Sequence, residues 1–164
     1  SIINNAGYAQ FKSFFDYSPL EWQKELNICL NGVMHLAYVF LPTMRQQKHG
    51  KFITIIGDSA RTGDRKLIVS ATARGGVISF IKSLAQEVGR DQIQCNAVSI
   101  GLIDQDDLQF PDDVKKQIIK SYPLQRLGKA QDVADTIAFL ASDQASWITG
   151  QIISVNGGHS TLGS

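Results

Sequence analysis

Four side chains stand at spacings that suggest a reaction centre. Ser70 and Arg74, in "IVSATARGGVISF", are one helical turn apart on a single face. Upstream, the β-branched run "FITIIG" ends on Asp58 and Ser59. Near neutral pH this set is poorly equipped to move a proton. An aliphatic hydroxyl such as that of Ser70 is a far weaker acid than a phenol, which titrates near ~10. The Arg74 guanidinium adds positive potential, but it does not release a proton at physiological pH. An ionised Asp58 would oppose any alkoxide developing beside it. Ser59 can offer a hydrogen bond to a bound oxygen without replacing a proton shuttle. The structural roles open to the same residues are an N-cap at Ser70 and an ion pair from Arg74 to Asp58 or Asp64, with Asp58 the favoured partner.

The elements that must position these residues alternate. Ile2 and Ile3 read as the tail of a strand. From about 19 to 47, Trp22, Leu26, Cys29, Leu30, Val33, Leu36, Ala37, Phe40, Leu41 and Met44 recur at helical spacing. "KFITIIG" and "IQCNAVSIG" are short apolar runs that suit buried strands, and residues 70–89 form the helix between them. A polar, proline-punctuated stretch over 102–128 reads as a lid with short helices. "KAQDVADTIAFLAS" is a helix with Asp132 in its first turn, and "GQIISVNGG" is a last strand. The alternation predicts an α/β, Rossmann-like three-layer domain on a parallel sheet, one domain over residues 1–164.

The remaining candidates carry less. His35, His49 and His159 have no second ligand at metal spacing, which leaves helix-end or interface roles. Asp104, Asp106 and Asp107 lack the glycine and closing glutamate of a calcium loop, so no metal is expected. The 16 basic and 15 acidic residues nearly cancel, which gives no electrostatic reason to expect nucleic acid or a membrane surface. No apolar window is expected to reach the length of a membrane span, and "SIINNAGYAQ" has no signal-peptide core. Cys29 and Cys95 stand alone, as free thiols do in a reducing compartment; the cytoplasm is the expectation.

Three phrases carry a family resemblance. "INNAG", with Asn5, Ala6 and Gly7, "NAVSIG", ending on Ile100 and Gly101, and "PLQRLGKAQDVADTIAFLASDQASWITGQIISVNGG" occur in the order and spacing of the short-chain dehydrogenases/reductases. The chain resembles the C-terminal half of that fold, and the resemblance covers nearly all of it. Two departures follow. The N-terminal dinucleotide-binding βαβαβ unit, with its glycine-rich turn, is absent from this sequence, so an unseen preceding segment or another chain is expected to cover the sheet edge. The second departure is in the catalytic tetrad. The resemblance puts the tyrosine position at Ser70, the lysine at Arg74, the serine at Asp58 (or Ser59 if the loop is one residue short) and the asparagine at Cys29. The proline of the nicotinamide turn falls on Ile100, and its following threonine on Gln105.

The resemblance therefore implies a catalytically degenerate member with no cofactor expected in this chain; Asn5, Ala6, Gly7, Ile100 and Gly101 are vestiges of a cofactor site. It resembles the inactive subunit of heteromeric hydroxyacyl-CoA dehydrogenases such as that of the benzylsuccinate pathway of anaerobic toluene degradation. On that reading the partner is an active paralogue holding NAD, in a heterotetramer built through helices about 19–47 and 70–89 and through the C-terminal helix and strand. Two alternatives stay open: an active NAD(P)-dependent oxidoreductase using Ser59 or a substrate-assisted route, and a stand-alone binding or regulatory pseudoenzyme.

Overall fold

The run "GKFITIIG" is apolar at both odd and even positions, which suits only a strand covered on both faces. In the computed structural model, which describes residues 1–105 and 110–161, it is strand β2 (Gly50–Gly57). It pairs in parallel with β1 (Ile2–Asn4) on one side and β3 (Ile93–Ile100) on the other. β4 (Ile152–Val155) adds in parallel beyond β3, so the four strands lie in chain order β1-β2-β3-β4. The expected α/β parallel architecture is the one observed.

Alternation along the strands builds two cores. Phe52, Ile56, Cys95 and Ala97 face one side, where Val33, Ala37, Leu41 and Met44 meet Val77, Ile81, Leu84 and Val88. Those residues line α2 (Gly32–Gln47) and α4 (Ile68–Val88). Ile53 and Val98 face the other side, against Val133 and Leu140 of α6 (Ala130–Ala141). Strand order advances in one direction throughout while the connecting helix changes face. The β3-to-β4 crossover therefore has the opposite hand to the first two, one of which senses is strongly disfavoured for short connections. The long segment between Ile100 and Ala130, which contains α5 (Asp112–Ser121), makes room for it.

The long helix predicted over 19–47 is present but not uniform. α1 (Pro19–Leu26) starts with Ser18 and Glu21 in a reciprocal capping box and Pro19 in the first turn. It runs through a π turn at Asn27–Asn31 into α2 without a break. π turns inside α-helices mark sites where a residue is held out of register, and Cys29 is the buried one here. Helix α4 begins two residues before the predicted start. Leu67 is its N-cap without a side-chain bond, and Ser70 lies inside the helix, so the N-cap assigned to Ser70 is corrected. The physical reason is the tight turn before it: Lys66 has φ 63° and Leu67 N–H donates to Asp64 O, which brings the chain into helix early.

The expectation that no apolar stretch reaches spanning length is also corrected. The helices Pro19–Gln47 and Ile68–Asp91 are long and apolar enough to cross a membrane by length and composition alone. In the fold their apolar stripes pack on the sheet and on each other. Gly76 of α4, for example, lets the Leu30 methyls approach to where a Cβ would stand 3.1 Å away. At the far end of this layer Asp91, in the turn after α4, accepts from Arg45 Nε at 2.7 Å and from Lys48 Nζ. Those two cations hold its carboxyl below the usual range.

Candidate functional site

In parallel sheets the carboxyl ends of the strands form the natural ligand crevice. All the residues singled out by motif gather there. Asn5, Ala6 and Gly7 follow β1, Asp58 and Ser59 follow β2, and Ile100 and Gly101 close β3. The turn after β1 is exposed at Asn5, Ala6 and Gly7 and is anchored by Asn4. Asn4 is buried, donates to Thr54 Oγ1 at 3.1 Å and accepts from the Ala6 N–H at 3.2 Å. Short tetrad-side motifs single out the second asparagine; the one that does the structural work is the first.

Asp58 is only 5% exposed, and protein donors surround its carboxylate. Oδ1 accepts from Ser99 Oγ at 3.0 Å; Oδ2 accepts from Asn156 Nδ2 at 2.9 Å and Ser160 Oγ at 2.5 Å. Its own N–H donates to Ile100 O, which ties β2 to β3. His159 Nδ1 lies 3.9 Å from Oδ2, and its ring stacks on Tyr122 at 4.8 Å between centroids. His159 thus belongs to this cluster. The Tyr122 hydroxyl accepts from Leu102 N–H, and burial pushes its pKa up. Gly101 sits under that ring: a Cβ there would be 3.0 Å from the ring and 3.2 Å from the Asn156 Cα. A glycine is required by this close approach. Asn156 is followed by Gly157 and Gly158, both with positive φ, which turn the chain back so that Ser160 reaches Asp58.

The expected Asp58–Arg74 ion pair does not form. Arg74 instead donates to Ser70 Oγ, one turn earlier on α4, and no carboxylate among the described residues pairs with it. Its stem passes Gly57, whose ideal Cβ would lie 3.7 Å from Arg74 Cδ and 3.5 Å from Ser59 Oγ. Its tip reaches Gly7, where the ideal Cβ would be 3.5 Å from Nη2. Ser70 is buried, so the helix-face pairing of Ser70 with Arg74 holds while the wider ion pair fails. The reason is competition: Asp58 already has three neutral donors in fixed positions.

Cys29, in the π turn, bonds reciprocally with one backbone residue. Its Sγ donates to Tyr8 O at 3.0 Å and accepts from Tyr8 N–H at 3.4 Å. This ties the loop after Gly7 to the long helix. One turn earlier, Glu25 is fully buried; Oε2 accepts from Tyr17 Oη at 3.1 Å and Oε1 has no hydrogen-bond partner. Burial, then the neighbouring Glu25, raise the Tyr17 pKa to about 12. No short motif marked Glu25 or Tyr17. Their only signal was a carboxylate on the apolar stripe of the helix.

On the lid side, Asp104 accepts from Lys115 Nζ at 3.0 Å, and Gln105 is exposed. Asp106 and Asp107 lie outside the described residues. Arg126 grips Asp132 through two N–H bonds of 2.6 and 3.0 Å, and with Lys129 N–H they hold that carboxyl at about 2. Between this pair and the Tyr122 ring lies a cavity of about 400 Å³, bounded by Leu102, Leu124, Thr136, Asn156 and Gly157. Among the described residues no three His, Cys, Asp or Glu side chains converge as metal ligands.

Comparison with known proteins fits this arrangement of strand ends. The family model described as enoyl-(acyl carrier protein) reductase matches residues 1–160. An uncharacterized short-chain type dehydrogenase/reductase of Sinorhizobium fredii is 38% identical over 161 residues, 96% of this chain and 64% of its own length. The 3-oxoacyl-[acyl-carrier-protein] reductase FabG of Escherichia coli is 36% identical over 158 residues, 96% of this chain and 65% of its own. The acetoacetyl-CoA reductase of a Synechocystis species is 34% identical over 162 residues, covering 98% and 68%. The chain spans 64% and 65% of the length of the first two of these relatives, just under two thirds. A parallel sheet in this strand order, an asparagine-anchored turn after β1 and a match over 160 residues agree: the chain belongs to the short-chain dehydrogenase/reductase family.

Proposed function

We propose that the chain is a non-catalytic subunit of a short-chain dehydrogenase complex. It assembles with an active paralogue, in a heterotetramer, and the paralogue holds NAD and interconverts a secondary alcohol and a ketone. The relatives named for 3-oxoacyl-carrier and acetoacetyl-CoA reduction make an acyl thioester the matching substrate class, hydroxyacyl-CoA included. The observation that carries the reading is the engagement of Asp58: three side-chain donors hold the carboxylate, so it presents no donor to a substrate oxygen. Hydride transfer also needs a proton donor matched to the alcohol, and Ser70 and Arg74 do not supply one. The residues here do not fit a nicotinamide cofactor, since the Arg74 guanidinium lies over the Gly7 turn, where the backbone must be approached closely. The free, buried Cys29 and Cys95 thiols suit a reducing cytoplasm; burial raises Cys95 to about 12. Calorimetry on the isolated chain should detect no NAD binding, and the native complex should contain a second chain that carries the cofactor. Micromolar NAD binding by this chain alone overturns the reading.

One observation favours an active enzyme instead. Ser59 is 7% exposed, and its hydroxyl makes no hydrogen bond to a described residue, so it is available to a substrate oxygen. Hydride transfer by the purified chain, abolished in Ser59→Ala, would establish that alternative.

A further inference from the structure

The gap between the β1 and β2 ends holds two groups that the fold leaves unsatisfied. Arg74 is half-buried and carries a full positive charge with no carboxylate partner among the described residues. Of its five N–H donors, the bond to Ser70 Oγ is the one made within the protein. Ser59, more than nine-tenths buried, has a hydroxyl without a protein partner. The two converge on one spot. Ser59 Oγ is 3.5 Å, and Arg74 Nε 3.8 Å, from the point where a Gly57 Cβ would stand. Glycine at 57 and at 7 keeps this spot open, with Arg74 Nη2 within 3.5 Å of the Gly7 ideal Cβ. A partly desolvated guanidinium is costly without a counter-charge, and its planar fork matches the two oxygens of a carboxylate or phosphate.

The geometry points to a small-oxyanion site between Gly7 and Gly57, in which the Arg74 fork takes two oxygens of a carboxylate or phosphate group and the Ser59 hydroxyl donates to one of them. Asp58 does not oppose it electrostatically as a bare charge would, because Ser99, Asn156 and Ser160 already donate to its two oxygens. A neutral alcohol or ketone would leave the guanidinium uncompensated, so the site selects for charge. Binding is a property of this chain alone, and it stands or falls separately from the scaffold role proposed above.

The test is a titration of the ¹⁵N-labelled intact chain with sodium acetate and, separately, inorganic phosphate, at ionic strength held constant with chloride. The expected result is a saturable shift confined to the amides of Gly7, Gly57 and Ser59 and to the Arg74 Nε–H, with either anion; the tighter one identifies the group. Arg74→Gln should abolish saturation, and Arg74→Lys or Ser59→Ala should weaken it about tenfold, the loss expected for a charge-assisted hydrogen bond. Linear, unsaturated drift with both anions overturns the site. So do wild-type curves in Arg74→Lys and Ser59→Ala, which decide the matter even if Arg74→Gln does not fold.

Discussion

At the carboxyl edge of the sheet, two neighbouring regions treat charge in opposite ways. Around Asp58, at the β2–β3–β4 ends, a buried anion has a donor for every direction it faces. Around Arg74, at the β1–β2 ends, a cation has one internal partner and open space ahead of it. The first region is finished as structure, while the second is built like a receptor. The lesson is that loss of a tetrad does not turn a crevice into inert core uniformly. One half of it became a strut, and the other kept its unsatisfied groups.

The comparison is broken most easily by Asp58→Ala. Removing a buried, fully bonded carboxylate leaves Ser99, Asn156 and Ser160 without their acceptor, and the expected loss is about 3 kcal/mol by urea unfolding. Arg74→Met, on the other side, should stay within about 0.5 kcal/mol, since no internal pair is lost. Equal losses in the two variants would erase the distinction between strut and receptor. Cys29→Ala should cost about 1 kcal/mol by removing both thiol contacts to Tyr8, with Cys29→Ser nearer wild type. The smallest effect is the pH dependence at Glu21, whose carboxyl falls from an ordinary 4.5 to about 2, chiefly through Lys12 and then the Ser18 bonds. The folded state therefore binds fewer protons than the unfolded one between those values. This support is complete above about pH 5 and fades as pH falls toward 2. Thermal scans across that range should show a steeper acid loss for wild type than for Glu21→Gln, and high salt should shrink the difference.

Elements whose sequence carries one periodicity were readable from it. β2 and β3 are continuous apolar runs, and Val77, Ile81, Leu84 and Val88 recur on one side of α4, so both types were recovered with ends off by a residue or two. The π turn was not readable, because Asn27–Asn31 contains nothing that distinguishes a wide turn from an α turn. The site residues were found by motif, but their partners were not. Asp58 and Arg74 look complementary on paper, and only the three-dimensional register shows that Ser99, Asn156 and Ser160, 41, 98 and 102 positions away, reach Asp58 first. Ser70 was misassigned as a cap because the Asp64–Leu67 turn, invisible to helix propensity, starts the helix early.

The tie from Ser160 to Asp58 also orders events in time. During synthesis β2 is complete long before residue 160 exists, so its terminal carboxylate must stay hydrated until the last turn of the chain emerges. This edge of the domain closes last, and a nascent chain halted at residue 155 should show it open to a protease that the released protein resists.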